Sequence, residues 1–330
     1  MNSTPKPNSE SLPINDNLAL VYRQFGDPLS VLALVSPSLL PCAPEKLRVA
    51  MQFAPINASD LIPITGAYRH RVQPPLIAGY EGVGTVISAP PAFAYLLGQR
   101  VLPLRSGGTW QRYIDCAPLL AIPVPADISS SLAARAYINP IAAWLMLKKW
   151  SPKNKRVLIT AGGSACALLL AQWARQMGAD SVTAIHRAPA HTKRLQALGI
   201  DTLLETQRDA VTAAAQRCDL VFDAVGGEIG QLLWQSLPLE AQFVAYGVLS
   251  GKPLQVTAAR PALHWFHVRH SLADLAHQDW QQWFTELWPL LRSSECGEVE
   301  IFPIAQWQEA IRCYQQSGRA RKPLLQLSGM

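Results

Sequence analysis

Short apolar strands alternate with helices in the C-terminal half of the chain, and this alternation constrains the fold more than any other feature. Four segments have the length and apolar content of buried strands: 156–161, 181–185, 218–223 and 242–246. Helical stretches separate them, and the first covers residues 167–177 and ends at Gly178. The alternation predicts an α/β fold with a doubly wound parallel sheet and right-handed crossovers.

The N-terminal part, residues 17–125, is dense in proline and carries short strand-like runs. Apolar and polar side chains alternate over residues 47–53, and 84–87 and 100–104 are further candidate strands. Proline at this density is typical of loops and edge strands in a small barrel. Because 330 residues exceed what one core comfortably serves, we expect two domains.

Helices are expected between these two parts and near the C-terminus. Serines at 129–131 can cap a first helix, Pro140 interrupts it, and a second apolar helix begins at Ile141. The last 30 or so residues hold one helix, 304–316, and a strand-like run, 323–327.

Composition limits the class of protein. Hydrophobic residues make up 49% and charged residues 16% of the chain, which is typical of a compact folded protein. No apolar run approaches the roughly 20 residues that span a bilayer, so no membrane partner is expected. The first dozen residues are polar, rich in Ser and Pro, and contain Glu10. They fit no targeting peptide, and we expect a disordered lead-in over residues 1–16 and a cytoplasmic protein.

Cysteine spacing and net charge exclude further classes. The six cysteines include no Cys-x-x-Cys pair, which argues against a disulfide framework and a structural zinc site. The net charge is +6, but no basic stripe interleaved with aromatic residues is present, so no nucleic-acid partner is expected. A basic protein can also attract phosphorylated or acidic ligands.

The turn after the first predicted strand of the sheet is a candidate site for a dinucleotide pyrophosphate. Backbone amides at the start of the following helix stabilise an anion, and small residues allow its close approach. A strict G-x-G-x-x-G is absent, and the pattern alone equally describes a tight turn. Its position at the start of the alternating region favours cofactor binding by the turn residues Gly162, Gly163, Ser164, Ala165 and Cys166.

The end of the second predicted strand indicates which dinucleotide binds. NAD-specific folds place an acidic residue near here, whereas an arginine accommodates the 2′-phosphate of NADP. No Asp or Glu occurs between residues 181 and 198, and Arg187 has the planar fork that matches a phosphate. His186, His191 and Arg194 add positive charge or polarity. We interpret this segment as an NADPH site; the alternative is a solvated basic loop.

Several motifs together resemble one known family. The segment 56–84 contains Asn57-Ala-Ser-Asp60, Gly66-Ala-Tyr68 and Gly79-Tyr80-Glu81, and Gly-Thr109-Trp110 follows. These residues resemble the substrate-site half of the medium-chain dehydrogenases/reductases. The Gly-Thr-Trp segment resembles the branch of trans-2-enoyl-thioester reductases, close to quinone oxidoreductases. Zinc members of the family carry a cysteine where Asn57 stands and a histidine where Tyr80 stands, so the resemblance implies a zinc-independent enzyme without a metal.

The resemblance extends from about Leu18 to the C-terminus and implies the domain organisation. A GroES-like, partly open β-barrel catalytic domain is expected over residues 17–137 and 299–330. A Rossmann NADPH-binding domain is expected over residues 138–298. Family analogy also implies a homodimer joined along a sheet edge near residues 253–257.

The resemblance also implies the chemistry. Hydride addition to the β-carbon of an enoyl thioester places negative charge on the thioester oxygen and α-carbon, which need a hydrogen-bond donor and a proton. The phenol of Tyr68 can supply either; the alternative is a tyrosine that covers the barrel edge. Trp110 either walls the thioester pocket or packs against the barrel. Loop capping is expected of Ser59 and Asp60, and Glu81 is expected to anchor a hydrogen-bond network.

The remaining site residues follow from the same resemblance. Asn57 is expected in the catalytic site with Tyr68 and Trp110. Tyr80, Trp265 and Phe266 are expected at the substrate pocket, although Tyr80 could simply fill the space of the missing ligand, and apolar packing is the alternative for the other two. The expected cofactor contacts, besides the turn and the basic loop, are Asn139, Ala224, Val225, Gly226, Tyr246 and Gly247.

We therefore expect NADPH-dependent reduction of a trans-2-enoyl thioester carried by coenzyme A or acyl carrier protein. A quinone oxidoreductase of the same fold is the close alternative. A non-catalytic NADPH sensor or RNA-binding paralogue is an alternative from another class. Two basic clusters, 69–71 and 319–322, are candidates to meet the phosphates of coenzyme A or the acidic surface of acyl carrier protein; solvated surface charge is the alternative for both.

Overall fold

The computed structural model describes residues 16–256, 261–272 and 275–328. The expected lead-in therefore lies outside the described residues, apart from Asp16. Of the expected dimer segment 253–257, Thr257 lies outside them as well. Within the described ranges, no helix is both long enough and apolar enough to cross a bilayer.

Strands and helices follow one another along the chain in two blocks. The strands are β1 (Ala19–Tyr22), β2 (Leu32–Val35), β3 (Leu47–Pro55), β4 (Leu76–Ile77), β5 (Val83–Ser88), β6 (Arg100–Pro103), β7 (Tyr113–Cys116), β8 (Ala121–Pro123), β9 (Arg156–Ile159), β10 (Ser181–His186), β11 (Asp201–Leu204), β12 (Leu220–Asp223), β13 (Gln242–Ala245), β14 (Ala262–Trp265), β15 (Val299–Pro303) and β16 (Lys322–Gln326). The α-helices are α1 (Pro28–Val31), α2 (Ala58–Leu61), α3 (Ser130–Ala133), α4 (Ile138–Lys149), α5 (Ala165–Gln176), α6 (Thr192–Ala197), α7 (Arg208–Ala215), α8 (Gly227–Ser236), α9 (Val268–Leu272), α10 (His277–Arg292) and α11 (Trp307–Gln315).

The second block forms one parallel sheet with the strand order β11-β10-β9-β12-β13-β14. This is the doubly wound order of a Rossmann fold, with the first strand, β9, at the centre. The predicted α/β class is confirmed. The two outermost strands, β11 and β14, are additional to the four that the sequence predicts.

The first block forms a GroES-like barrel. Its main sheet has the order β15-β16-β3-β5-β6-β8, with β7 also paired to β3, and β2-β1-β4 form a smaller sheet. The C-terminal strand β16 runs antiparallel to β3, with Leu324 opposite Pro55. This register brings Lys322, at the start of β16, alongside Asn57, just beyond the end of β3.

Helix α4 begins at Ile138, three residues earlier than predicted. Pro140 lies in its first turn, where the missing N–H costs no hydrogen bond. The apolar face of α4 belongs to a core shared by both blocks, which includes Val83 of the barrel and Trp280 of α10. This shared core holds the barrel and the parallel sheet together around the site.

Candidate active site

A hydrogen-bond network centred on Asn57 joins the barrel to α4. The Asn57 side-chain oxygen accepts hydrogen bonds from Lys322 Nζ (2.6 Å) and from Asn139 Nδ2 (3.1 Å). Its Nδ2 donates to Glu81 Oε1 (2.7 Å). The other oxygen of Glu81 accepts from the backbone amides of Tyr137 and Ile138, at the start of α4 (3.1 and 2.8 Å). Glu81 thus anchors a network, as expected.

Asp60 closes the loop that carries Asn57. Its two oxygens accept the backbone N–H groups of Asn57 (2.7 Å) and Tyr80 (2.9 Å). The capping role expected of Asp60 is confirmed. The same expectation for Ser59 is wrong, because its hydroxyl is buried without a partner among the described residues.

Three titratable groups in this network have strongly perturbed pKa values. Burial, with a contribution from Glu81, raises the pKa of Asp60 to about 7. Burial also raises the pKa of Glu81, although its hydrogen bonds oppose the rise. Desolvation of the ammonium, with repulsion from Arg319, lowers the pKa of Lys322 to about 7. Of the two interpretations of the C-terminal basic cluster, solvated surface charge does not describe Lys322, because its side chain is half-buried and donates into the network.

Tyr68 lies in a loop of turns between α2 and β4 and is half-buried. The guanidinium of Arg71 covers its ring at 4.6 Å from the centroid. Burial, with a contribution from Asp60, raises the pKa of Tyr80, and Tyr68, Arg71 and Arg269 are near enough to act on it electrostatically. Tyr80 therefore lies within electrostatic range of Tyr68 and of cations from both blocks, because Arg269 belongs to α9.

Trp110 is fully buried and donates its indole N–H to the carbonyl of Pro55 (3.1 Å). Its ring packs under Gly79, where a Cβ atom would collide with it. Of the two roles expected of Trp110, the structure shows barrel packing. Apolar packing also describes Phe266, which is buried against Trp150.

Trp265 lies at the end of the edge strand β14, and 57% of its surface is exposed, because an edge strand buries only part of its side chains. Its expected place at the substrate pocket stays a prediction.

The glycine turn presents free amides at the start of α5. Ala161 adopts a positive φ of 53°, and Ser164 caps the helix by accepting the amide of Ala167 (3.2 Å). Within the described residues, the amides of Gly163, Ala165 and Cys166 donate to no acceptor. Free amides at a helix start fit a diphosphate.

A buried pair fixes the loop after β12. Thr160 donates its hydroxyl to Asp223 (2.6 Å) and accepts the amide of Ala224 (2.9 Å). Asp223 also accepts the amides of Val225 (3.0 Å) and Gly226 (2.9 Å). The sequence pattern does not identify Thr160 as a site residue. Its partner Asp223 could have been identified, because an acidic residue at the end of a buried strand needs hydrogen-bond donors.

Two further expected cofactor residues lie on the adjacent loop after β13. Gly247 packs so closely on Ala224 that a Cβ atom would lie 2.8 Å from its carbonyl oxygen. The hydroxyl of Tyr246 is buried next to the thiol of Cys166, and no described residue meets it in good hydrogen-bond geometry. Together with the turn, these loops form an edge at the carboxyl ends of β9, β12 and β13, which is where open α/β sheets bind ligands.

The basic loop is only partly as expected. Arg187 is exposed, as a phosphate ligand requires. His186 is almost fully buried and bonds within its own loop, to the carbonyl of Ala188 (3.0 Å) and to Thr192 (3.4 Å). Arg194 pairs with Glu295 at 2.5 Å. Both side chains have partners in the protein, and their expected cofactor contacts stay predictions.

No group of three or more His, Cys, Asp or Glu side chains suited to a metal ion occurs in the described part of the chain. At the two positions where the resemblance places zinc ligands, the Asn57 amide is already engaged and Tyr80 is 39% exposed.

Comparisons with known proteins agree with this architecture. The family model of the alcohol dehydrogenase GroES-like domain matches residues 43–125, and that of the zinc-binding dehydrogenases matches residues 165–289. The mitochondrial enoyl-[acyl-carrier-protein] reductase of Rattus norvegicus is 30% identical over 256 residues, which cover 73% of this chain and 68% of the relative.

Solved structures show the same likeness over nearly the whole chain. A Bacillus thuringiensis protein named "putative NADPH:quinone reductase" has a TM-score of 0.88 and 32% identity, with 95% of this chain and 99% of that chain covered. The Etr1p/NADP/crotonyl-CoA complex has a TM-score of 0.79 at 18% identity, with 94% and 99% covered, and shares the fold.

The fold is that of a two-domain dehydrogenase: it combines a barrel with a parallel sheet, and the ligand-binding edge lies at the carboxyl ends of β9, β12 and β13. The chain belongs to the medium-chain dehydrogenase/reductase family of oxidoreductases, in the group that resembles enoyl reductases and quinone oxidoreductases.

Proposed function

We propose that the protein uses NADPH to reduce the activated double bond of a trans-2-enoyl thioester, without zinc. The observation that carries this proposal is that Tyr68, half-buried in the barrel loop, lies within electrostatic range of Tyr80, which stands where zinc members of the family carry a histidine. The enoyl reductase relatives support the substrate class.

The dinucleotide fits the residues present. The free amides of Gly163, Ala165 and Cys166 would bind its diphosphate, and the exposed Arg187 would bind the 2′-phosphate. The buried, unpartnered hydroxyl of Tyr246 would find a polar partner. When bound, NADPH supplies the hydride.

The protein's own residues would orient the substrate and provide the proton. Tyr68 would donate a hydrogen bond or a proton from its phenol as charge develops on the thioester oxygen and α-carbon. Arg71 holds the ring of Tyr68, which limits its freedom. The Asn57 network would occupy the space of the zinc ligands, with the Lys322 ammonium as its cation.

Basic residues near Tyr80 favour a substrate on a phosphorylated carrier. Arg71 of the barrel loop and Arg269 of α9 both act electrostatically on Tyr80, and Arg69 and His70 are exposed beside Arg71. Coenzyme A and the phosphopantetheine arm of acyl carrier protein both carry phosphate, which guanidinium groups bind well. A quinone carries none.

A quinone remains the second candidate substrate, because the Bacillus thuringiensis protein is similar to this chain over 95% of its length. A quinone needs no acid at the position of Tyr68. The two substrates therefore respond differently to removal of its hydroxyl.

The test is Tyr68→Phe, assayed with NADPH and either crotonyl-CoA or a quinone. We expect kcat with crotonyl-CoA to fall by about 100-fold, the lower range for loss of a general acid. The matched control is Tyr95→Phe, because Tyr95 is 71% exposed on the barrel surface; it should leave the rate unchanged. An unchanged rate for Tyr68→Phe with crotonyl-CoA would contradict the mechanism. If the wild-type enzyme consumed NADPH only with the quinone, the second candidate would replace the first.

A further inference from the structure

The amide of Asn57 is held in one orientation by opposite charges on its two sides. Its oxygen faces the Lys322 ammonium at 2.6 Å, and its nitrogen faces the Glu81 carboxylate at 2.7 Å. When Lys322 is protonated and Glu81 is ionised, a flipped amide would place an N–H against an ammonium, which accepts no hydrogen bond, and a carbonyl against a carboxylate, which donates none. Because Asn57 is only 4% exposed, water could not relieve either mismatch.

This orientation determines the orientation of a second amide, that of Asn139. The Asn57 oxygen is an acceptor, so Asn139 must turn its own N–H group toward it, as observed at 3.1 Å. The Asn139 side-chain oxygen then points the other way, and no described residue donates to it. Asn139 thus presents a free acceptor whose direction is set by residues in the barrel.

Asn139 lies where the barrel meets the dinucleotide turn. It belongs to the first turn of α4, and its backbone carbonyl is 3.9 Å from the thiol of Cys166 in α5. Asn139, Lys322 and Ala165 together line a cavity of about 20 Å³, enough for about one water molecule. A dinucleotide that follows the turn toward the barrel would pass this acceptor with its nicotinamide end.

The position of Lys322 suits a hydrogen bond to Asn57 rather than an ion pair with the buried acids Asp60 and Glu81. Within the described residues, its ammonium forms no ion pair with Asp60 or Glu81. Its short hydrogen bond goes instead to the neutral oxygen of Asn57. A lysine that served only to neutralise the carboxylates would contact one of them directly.

We propose that Lys322 is a positioning residue. Together with Glu81 it fixes the orientation of the Asn57 side-chain amide. Through Asn57 it turns the side-chain oxygen of Asn139 toward the N–H donors of the nicotinamide carboxamide. This proposal rests on the proposed function, because it requires a nicotinamide dinucleotide at the turn. Lys322 itself touches neither the dinucleotide nor the substrate.

The experiment compares two ligands by calorimetry: NADPH, and 2′-phospho-ADP-ribose, which lacks only the nicotinamide. In Lys322→Met the donor to Asn57 is lost, and we expect NADPH to bind about tenfold more weakly while 2′-phospho-ADP-ribose binds within about twofold of wild type. Lys322→Gln has a similar length and keeps an N–H donor, so it should recover most of the NADPH affinity.

A second variant tests the proposal in case Lys322→Met does not fold. Asn139→Ala removes the proposed acceptor at a half-buried position, and it should show the same selective loss for NADPH. Equal losses for both ligands, or no loss in Lys322→Met, would overturn the proposal. The proposed function fails on a separate result: a wild-type protein that binds NADPH but reduces neither crotonyl-CoA nor a quinone. The calorimetric comparison would still be valid in that case.

Discussion

Replacing Lys322 by methionine should make the stability of the protein depend on pH in a specific way. Methionine keeps most of the side-chain volume and removes the ammonium. In the wild-type protein the pKa of Lys322 is lowered from 10.5 to about 7, and the pKa of Asp60 is raised from 3.8 to about 7. The variant loses the lysine titration and leaves Asp60 and Glu81 without their nearest cation.

The sign of this pH dependence follows from the directions in which the pKa values of Lys322 and Asp60 are shifted. The folded pKa of Lys322 is depressed, so its contribution to stability is lost as pH falls through 7 and returns as pH rises toward 10.5. The folded pKa of Asp60 is raised, so its contribution is lost as pH rises through about 7, and without Lys322 that loss continues to higher pH. Both effects make the variant relatively less stable above pH 7.

The magnitude comes from the lysine titration. Between pH 7 and 8.5 the wild-type protein gains about 2 kcal/mol that the variant cannot gain, at 1.36 kcal/mol for each pH unit. For a chain of this size that corresponds to about 3 °C in Tm. Arg135 and Arg319 also act on the ammonium, but they stay charged over this range.

The assay is thermal unfolding of both proteins at pH 6.0 and pH 8.5 and equal ionic strength. We expect the Tm difference between wild type and Lys322→Met to be larger at pH 8.5 by the amount given above. The control is Lys148→Met, because Lys148 pairs with Glu286 on the surface, with 47% of each side chain exposed. Its effect should be small at both pH values. A Tm difference for Lys322→Met that is the same at pH 6.0 and pH 8.5 would refute the reasoning.

Two further predictions concern ligand charge. Arg187→Ala should raise the KM for NADPH by about 10–100-fold and the KM for NADH by less than about twofold, because only NADPH has a 2′-phosphate. Steady-state kinetics measures both values. Equal rises in the two KM values would contradict a role of Arg187 in binding the phosphate. Arg269→Glu should raise the KM for crotonyl-CoA severalfold, but not that for a short crotonyl thioester without phosphate. An equal rise with both thioesters would show that the charge does not recognise the carrier.

The central strands could be predicted from the sequence, whereas the edge strands could not. Strands β9, β12 and β13 are buried on both faces, so each appears as a continuous apolar run. Strands β11 and β14 are only partly buried and mix polar with apolar residues. A four-residue mixed run has no periodicity that separates a strand from a loop.

The candidate site also has residues that could be identified from the sequence and residues whose contacts could not be predicted. The glycine turn and Arg187 are local motifs that were identified from neighbouring residues, whereas the loop with Tyr68 was identified from the family resemblance. His186 and Arg194 were assigned to the cofactor by charge and position alone. The partner of Arg194, Glu295, could not be foreseen, because it is about a hundred residues away along the chain. The partner of His186, Thr192, is close in sequence, but the burial of the His186 ring depends on the tertiary fold.

Taken alone, the sequence determined that the chain has a doubly wound sheet with a glycine turn, a proline-rich barrel and a tyrosine in place of metal ligands. The sheet and the barrel follow from local periodicity and residue type, and the tyrosine in place of metal ligands follows from the family resemblance. Only the tertiary structure decided the role of Lys322, which follows two arginines and looks like surface charge. The pairing of β16 with β3 places it beside Asn57, 265 positions earlier in the chain. Burial and long-range pairing, which no local pattern encodes, convert that lysine from a solvated cation into the centre of the site.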